Sequence, residues 1–262
     1  MTPVDPACWL EGPAAPKAFS EQPLAIASGD CLADLRASLP ALGNHLQEAA
    51  GLHADRLGCG LPLLQTLGQT WMLSRLALRL YEAPAWQEPL LLATWPSGIR
   101  GRLAAERQFA IRRPGGEVLL EASSEWLCVD LAAQRLARLP DAVATIAAPG
   151  TFTFGLCREK FPALPEDAPL VGETLFPVRR AEIDANHHVN NVHYAEWMRE
   201  TLPEAVFFGP APAAFDIEYK LAAKLGDTVR SRTYALSGDA YYHTIDRPAD
   251  GRLLARAVTR QR

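Results

Sequence analysis

One long helix pattern followed by a run of strand patterns occurs twice in this chain, and a chain built that way has few means of burying its apolar surface. In the first half the helix spans about Ser38 to Leu57. Leu39, Leu42, Leu46, Ala49, Ala50, His53 and Leu57 recur at three- and four-residue spacing and so mark one face. Ser38 is a fair N-cap and Gly58 a fair stop. Residues 70–81, 89–96, 104–113 and 118–131 then read as antiparallel strands, with Gly115 and Gly116 as a hairpin signal between the last two. Residues 139–172 carry Pro140, Pro149, Pro162, Pro165 and Pro169 and read as a linker, extended in places. After them the first pattern returns. A helix begins at Asn190 or Asn191, with Val192, Ala195, Met198 and Leu202 on one face. Strands follow at 215–221, 228–236, 241–247 and 252–260, and the turn at 249–251 stands where the glycine pair stood before. Setting Glu200 against Glu48 aligns the helices; Asp227 then answers Glu88, with a gap. The expected class is α+β, a duplicated unit in which a sheet wraps one long helix. Two such units paired side by side would bury the apolar surface each leaves open. The expected division is a flexible extension at 1–20, a first unit at 21–138, the linker at 139–172 and a second unit at 173–262.

A net charge of −4 argues against a general nucleic-acid binder. The cysteines (Cys8, Cys31, Cys59, Cys128 and Cys157) are odd in number and form no C-x-x-C pair, so a disulfide framework or structural zinc site is not expected. The first residues lack a basic start and a continuous apolar run, and no stretch is long enough to span a bilayer. A cytoplasmic protein is the expectation.

The chemistry concentrates in Asp184-Ala-Asn186-His187-His188-Val-Asn190-Asn191. A carboxylate, an amide and an imidazole sit two residues apart. In an extended segment Asp184, Asn186 and His188 would share one face. The helix start just beyond offers backbone N–H groups that suit an oxyanion. Such a set fits attack on an acyl carbonyl. A fully extended segment would hold Asp184 and His188 about 13 Å apart, so a bend is required if all three act together. Asn190 and Asn191 tolerate such a bend and can cap, with substrate binding a secondary role. His187 and His193 read as structural or exposed. The spacing of Asp184 and these histidines is not that of a helical zinc pair, so no metal is expected. Trp71, Trp86, Trp95, Trp126 and Trp197 read as core or pocket wall.

The motif Asp184-x-Asn186-x-His188-Val-Asn190-Asn191-x-x-Tyr194-x-x-Trp197, with Ile217-Glu218-Tyr219 beyond it, resembles the acyl-acyl-carrier-protein thioesterases, the plant plastid enzymes and their bacterial relatives. Leu46-Gln-Glu48 to Ala54, Trp71 to Arg75, Thr94 to Ile99 and Phe161 to Pro165 fit the same family in order, so the resemblance covers residues 25–262. It implies a double hotdog fold, hydrolysis of a fatty acyl thioester delivered on phosphopantetheine by an acidic acyl carrier protein, and an acyl tunnel within the first unit. By motif position it places the catalytic carboxylate, amide and imidazole on Asp184, Asn186 and His188. No cofactor is implied.

One position departs from the pattern. Plant members carry a catalytic glutamate three residues after the tyrosine of the Glu-Tyr pair; here Ala222 and Ala223 stand at and after that place. Asp216 and Glu218 share the parity of Ala222 in a regular strand, so either is a candidate substitute acid. Glu48, on the first helix, is a third; His53 shares that helix. Arg100, Arg102, Arg107, Arg112, Arg113, Arg179 and Arg180 read either as a docking patch for an acidic carrier or as ordinary solvated surface. Three functions compete: acyl-carrier-protein thioesterase, acyl-coenzyme A thioesterase, and a non-catalytic acyl-thioester binding protein, the last favoured by Ala222. Monomer and homodimer are both compatible.

Overall fold

The computed structural model describes residues 2–11, 18–101, 103–146 and 150–262. In chain order the elements begin with α1 (Ala7–Leu10), β1 (Ser20–Leu24), α2 (Leu39–Arg56) and α3 (Leu61–Thr66). Next come β2 (Gln69–Leu80), β3 (Leu90–Arg100), β4 (Ala104–Arg112), β5 (Val118–Asp130), β6 (Arg135–Ala137) and α4 (Asp141–Ile146). The rest are β7 (Leu170–Pro177), α5 (Asn191–Arg199), α6 (Glu204–Phe207), β8 (Ala214–Tyr219), β9 (Thr228–Leu236), β10 (Ala240–Arg247) and β11 (Arg252–Arg260).

The strands form one 11-stranded sheet in the order β1-β3-β4-β5-β2-β8-β11-β10-β9-β7, with β6 on β5. The first half reads 1-3-4-5-2 and the second is its mirror image, 8-11-10-9-7. They join where β2 pairs with β8, Arg75 opposite Glu218 through Arg79 opposite Ala214. The turns repeat as well. A short 3-10 turn at Ser28–Asp30 answers one at Arg180–Glu182. The bridge Cys31–Ala37 answers Ile183–Val189, and the positive φ of Leu35 answers that of His187. Ser38 caps α2 as Asn190 caps α5. One constant offset relates all of these, and it is the offset that sets Glu48 against Glu200.

Helix α2 lies on the inner face of the first half and buries Leu42, Leu46, Ala49, Ala50 and His53, a spacing of three and four residues. Each buried leucine contributes roughly 1.5–3 kcal/mol. The two long helices meet at Gly43, where an added Cβ would lie 3.7 Å from Val192. Phe215 and Ile217 of β8 and Leu76 and Leu78 of β2 join the same core, so the inner face is continuous across the junction.

Three expectations are corrected. Each half has a fifth strand, β1 or β7, at the outer edge; Pro23 in β1 and the half-exposed pattern of β7 suit edge strands but hide the signal. The described part of the extension is packed, not free: Trp9 is fully buried and stacks on Trp95 at 5.1 Å, and the Val4 N–H donates to Glu121 at 2.6 Å. Residues 1 and 12–17 of that extension lie outside the described residues. The linker carries α4 and then straps the outer face, where Arg75 donates to the carbonyls of Cys157 (3.1 Å) and Glu159 (2.6 Å). No described helix is long and apolar enough to cross a membrane.

Candidate functional site

The Asp184 segment is a tight turn, not an extended strand. The bridge between Ile183 and Val189 closes its base. The Asp184 N–H donates to the His188 carbonyl at 2.8 Å, and the His187 N–H donates to the Asp184 carbonyl at 3.0 Å. His187 takes φ 60°, the left-handed region, to make the turn. The expected alternation of three side chains on one face therefore does not hold. The turn instead gathers backbone donors around the carboxylate: Asp184 Oδ1 accepts from the N–H of Asn186 (2.8 Å) and of His188 (3.4 Å). Donors of this kind fix the orientation of the carboxylate. Asp184 Oδ2 and the His188 ring have no hydrogen-bond partner among the described residues.

Asn186 carries the turn to the wall of a cavity of about 220 Å³ that is lined mainly by the first half, with Val143 and Ile146 of α4. Ala50, Gly51 and Ala54 of α2 face Trp71, Ala105 and Trp126 across it. Asp184 and His188 are half-buried in the turn but do not line the cavity. Thr70, at the start of β2 and buried, donates its hydroxyl to Asn186 Oδ1 at 3.0 Å. The sequence reading missed Thr70; a threonine opening a strand carries no signal of its own.

Arg107 stands apart from the other arginines of its row. It is 8% exposed, lines the cavity, and donates from Nη1 to His53 Nδ1 (3.0 Å) and Thr94 Oγ1 (3.1 Å). Among the described residues no carboxylate pairs with it. Burial lowers its pKa to about 10, so it stays charged at neutral pH. Burial and the neighbouring Arg107 lower His53 to about 4, which keeps its ring neutral and able to accept. A parity signal was available: Ala105, Arg107, Phe109 and Ile111 share one face of β4, and that face is the inner one.

The remaining candidates are placed elsewhere. Asn190 caps α5 by accepting from the Val192 N–H at 3.2 Å, and its carbonyl takes the His193 N–H. Asn191 donates to Gln47 at 3.2 Å. Both amides are thus engaged in holding the two halves and the helix start. Asp216 forms a bidentate pair with Arg75 (2.9 and 2.7 Å), and Glu218 pairs with Arg256 and Lys220. Both acids point to the outer face, opposite Phe215 and Ile217. β8 ends at Tyr219, so the strand alternation expected to carry Asp216 and Glu218 to the side of Ala222 stops short of it. Glu48 is exposed on α2 and does not line the cavity. None of the three acids is placed to stand in for the glutamate. The backbone of Ala223 does meet the motif: its carbonyl accepts from the Val189 N–H at 3.0 Å, and its N–H donates to Tyr194 Oη at 2.8 Å. Arg100, Arg112, Arg113 and Arg179 are paired with Glu125, Glu21, Glu88 and Glu182, so they do not make one free cationic patch. Arg102 lies outside the described residues. His193 pairs with Glu196, and His187 is exposed.

The two repeated turns carry different side chains. The constant offset puts Leu32, Asp34 and Arg36 where Asp184, Asn186 and His188 stand. Arg36 is tied to Glu82 and to the Ala83 carbonyl, and the groove beside Leu32 holds about 40 Å³. The turn of the second half thus adjoins a cavity lined mainly by the first.

The sequence matches the family descriptions "Acyl-ACP thioesterase N-terminal domain" over residues 17–147 and "Acyl-ACP thioesterase C-terminal domain" over residues 170–253. An oleoyl-acyl carrier protein thioesterase from Coriandrum sativum is 27% identical over 212 residues, covering 75% of this chain and 57% of the relative. A palmitoyl-acyl carrier protein thioesterase from Arabidopsis thaliana is 28% identical over 265 residues, covering 91% and 62%. The chain thus spans less than two thirds of the length of these plant relatives. The solved 12:0-ACP thioesterase from Umbellularia californica superposes with a TM-score of 0.82 at 25% identity, covering 94% of this chain and 97% of that one. An acyl-ACP thioesterase structure from Bacteroides thetaiotaomicron shares the fold with a TM-score of 0.74 at 22% identity, covering 92% and 97%. With its repeated hotdog halves and matches to both family domains, the chain belongs to the acyl-ACP thioesterase family.

Proposed function

We propose that this protein hydrolyses fatty acyl thioesters carried on acyl carrier protein and releases the free fatty acid. The reading is carried by one observation: the turn that bonds Asp184 Oδ1 to two backbone N–H groups also delivers Asn186 to the wall of an apolar cavity. The first unit (21–138) supplies most of the cavity wall, Val143 and Ile146 of the 139–172 segment complete it, and the second unit (173–262) supplies the reacting groups.

In the proposed reaction Asp184 takes a proton from water, which adds to the thioester carbonyl. The alternative, direct attack by Asp184, would leave an anhydride needing a second base for its hydrolysis. That base would come from the position held by Ala222, and alanine cannot act as one. The general-base route uses only groups present. Asn186 keeps its Nδ2 donors available because Thr70 occupies Oδ1, and they suit the developing oxyanion. The C–S bond then breaks, and the proton that Asp184 took from water passes through His188 to the departing thiolate. A thiol of pKa about 8.5 needs little acid assistance to leave. All five cysteines are free, which fits action in a reducing compartment such as the cytoplasm.

The test is thiol release from a matched series of acyl-carrier-protein and acyl-coenzyme A substrates. Turnover with a higher kcat/KM on the carrier protein is expected. Equal or better turnover on coenzyme A would assign the carrier differently. Ala222 favours a second reading, a binding protein without turnover; tight acyl binding with no thiol released on any substrate would establish that one.

A further inference from the structure

Two arginine pairs elsewhere in this protein show what the buried Arg107 lacks. Arg75 holds Asp216 from Nε and Nη2 at 2.9 and 2.7 Å, and Arg112 holds Glu21 from the same two atoms at 2.9 and 2.8 Å. A side-on pair of this kind sets parallel N–H groups against the oxygens of one carboxylate. Arg107 engages Nη1 alone, on His53 and Thr94. Its Nε and Nη2 have no acceptor among the described residues, although the residue is only 8% exposed. Nor is that edge sealed against protein. Among the described residues the buried side-chain polar atoms without a partner are Trp9 Nε1, Glu125 Oε1, Arg232 Nε and Thr244 Oγ1, none of them on Arg107. The idle edge therefore faces open space, and the space that Arg107 lines is the cavity. Glu106 is the one acid among the lining residues, and its carboxylate is taken by Arg158 at 3.0 Å.

We infer that the Nε–Nη2 edge of Arg107 is an anchoring site for a carboxylate borne on an alkyl chain inside the cavity. Methylene groups cannot replace the hydration of a guanidinium, whereas a carboxylate seated side-on does so with a charge-assisted pair. The apolar remainder of the wall, with Ala50, Ala54 and Trp71, suits the chain that carries it. Two sources supply that chemistry. One is an acyl thioester whose far end is a second carboxylate, seated on Arg107 while the thioester meets the motif turn. The other is a free fatty acid that enters carboxylate first and holds the cavity against fresh substrate. The inference rests on the proposed function for its use of the cavity by an acyl chain, but its binding arm needs no turnover.

The experiment has two arms, each run at neutral pH on the wild type, Arg107→Met and Arg107→Lys. In the binding arm, calorimetric titration compares decanoate with decanol, which have the same chain and differ in the anionic group. The wild type is expected to bind decanoate at least about tenfold more tightly, the scale of a hydrogen-bonded charge pair, and Arg107→Met to lose that difference. In the turnover arm, thiol release is compared between carrier proteins loaded with plain chains from hexanoyl to hexadecanoyl and chains of equal length that end in a free carboxylate. A gain in kcat/KM of at least about tenfold at one or more lengths, absent in Arg107→Met, assigns the doubly carboxylated acyl chain. Preference in the binding arm alone assigns the free acid. Arg107→Lys, which keeps the charge but not the side-on edge, should weaken either preference and leave decanol binding unchanged; it serves in place of Arg107→Met if that variant does not fold. Charge-dependent binding of decanoate with no thiol released from any substrate would refute the proposed function and leave the anchor standing. A wild type with neither preference would overturn the anchor, as would a preference kept at full size in a folded Arg107→Met or in Arg107→Lys.

Discussion

Thr70 and Asn186 come from opposite halves of the chain and meet through one hydrogen bond of 3.0 Å, hydroxyl to amide oxygen, at the cavity wall. An amide turns about its last side-chain bond unless something holds it, and here its acceptor end is held. Thr70→Val should therefore lower kcat by about 10- to 100-fold, as small misplacements of a reacting group do, with KM little changed. Thr70→Ser should restore most of the rate. Steady-state kinetics of the two variants check this; a KM effect shared by both would point to cavity shape instead.

His53 makes stability depend on pH. Its folded pKa is lowered from 6.5 to about 4 by burial and then by Arg107. As pH falls through that window the unfolded chain binds a proton that the folded chain refuses, so stability is lost on acidification. The loss approaches about 3 kcal/mol by the bottom of the window. Buried His243 is lowered in the same direction and adds to it. Denaturant unfolding between pH 7 and 4.5 should show a slope that is shallower in His53→Gln than in the wild type.

The strapped N-terminus should contribute to stability. Trp9 is fully buried against Trp95 and Phe19, at 5.1 and 6.2 Å between ring centroids. Trp9→Ala is expected to cost about 3 kcal/mol and to lower Tm by roughly 5–10 °C. Thermal unfolding of this variant decides whether the segment is packed in solution; an unchanged Tm would return it to the status of a free tail.

Ala222 sits beside Ala223, whose carbonyl bonds Val189 at the base of the motif turn. It is only partly buried, so a longer side chain can be accommodated. Ala222→Glu should raise kcat by at least about tenfold, the lower range of what a placed general base contributes. Single-turnover assays would separate this gain in the chemical step from any change in product release.

Much of the fold was legible because the core-facing periodicity is strong. Ser38 and the Leu42, Leu46, Ala49, Ala50, His53 spacing located α2, and the register of Glu48 against Glu200 recovered the offset that the turns obey. The edge strands were not legible, since half of each is exposed and carries polar residues or proline. Nor was the seating of Trp9, whose surroundings are rich in proline and alanine and whose partner Trp95 is far along the chain. At the site, the need for a bend at Asp184 could be deduced from strand length, but not that the backbone would fold its own N–H groups onto the carboxylate. Asp216 and Glu218 misled because a parity argument cannot see where a strand stops.

In the proposed reaction Asp184, with one oxygen pinned by the turn, does the chemistry on the thioester. The most direct measurement is thiol release from dodecanoyl carrier protein by the wild type and Asp184→Asn, which keeps the size and one acceptor oxygen. A loss in kcat of at least about a hundredfold is expected, within the range of a general base, with acyl binding retained. Turnover by Asp184→Asn within a few-fold of the wild type would contradict it.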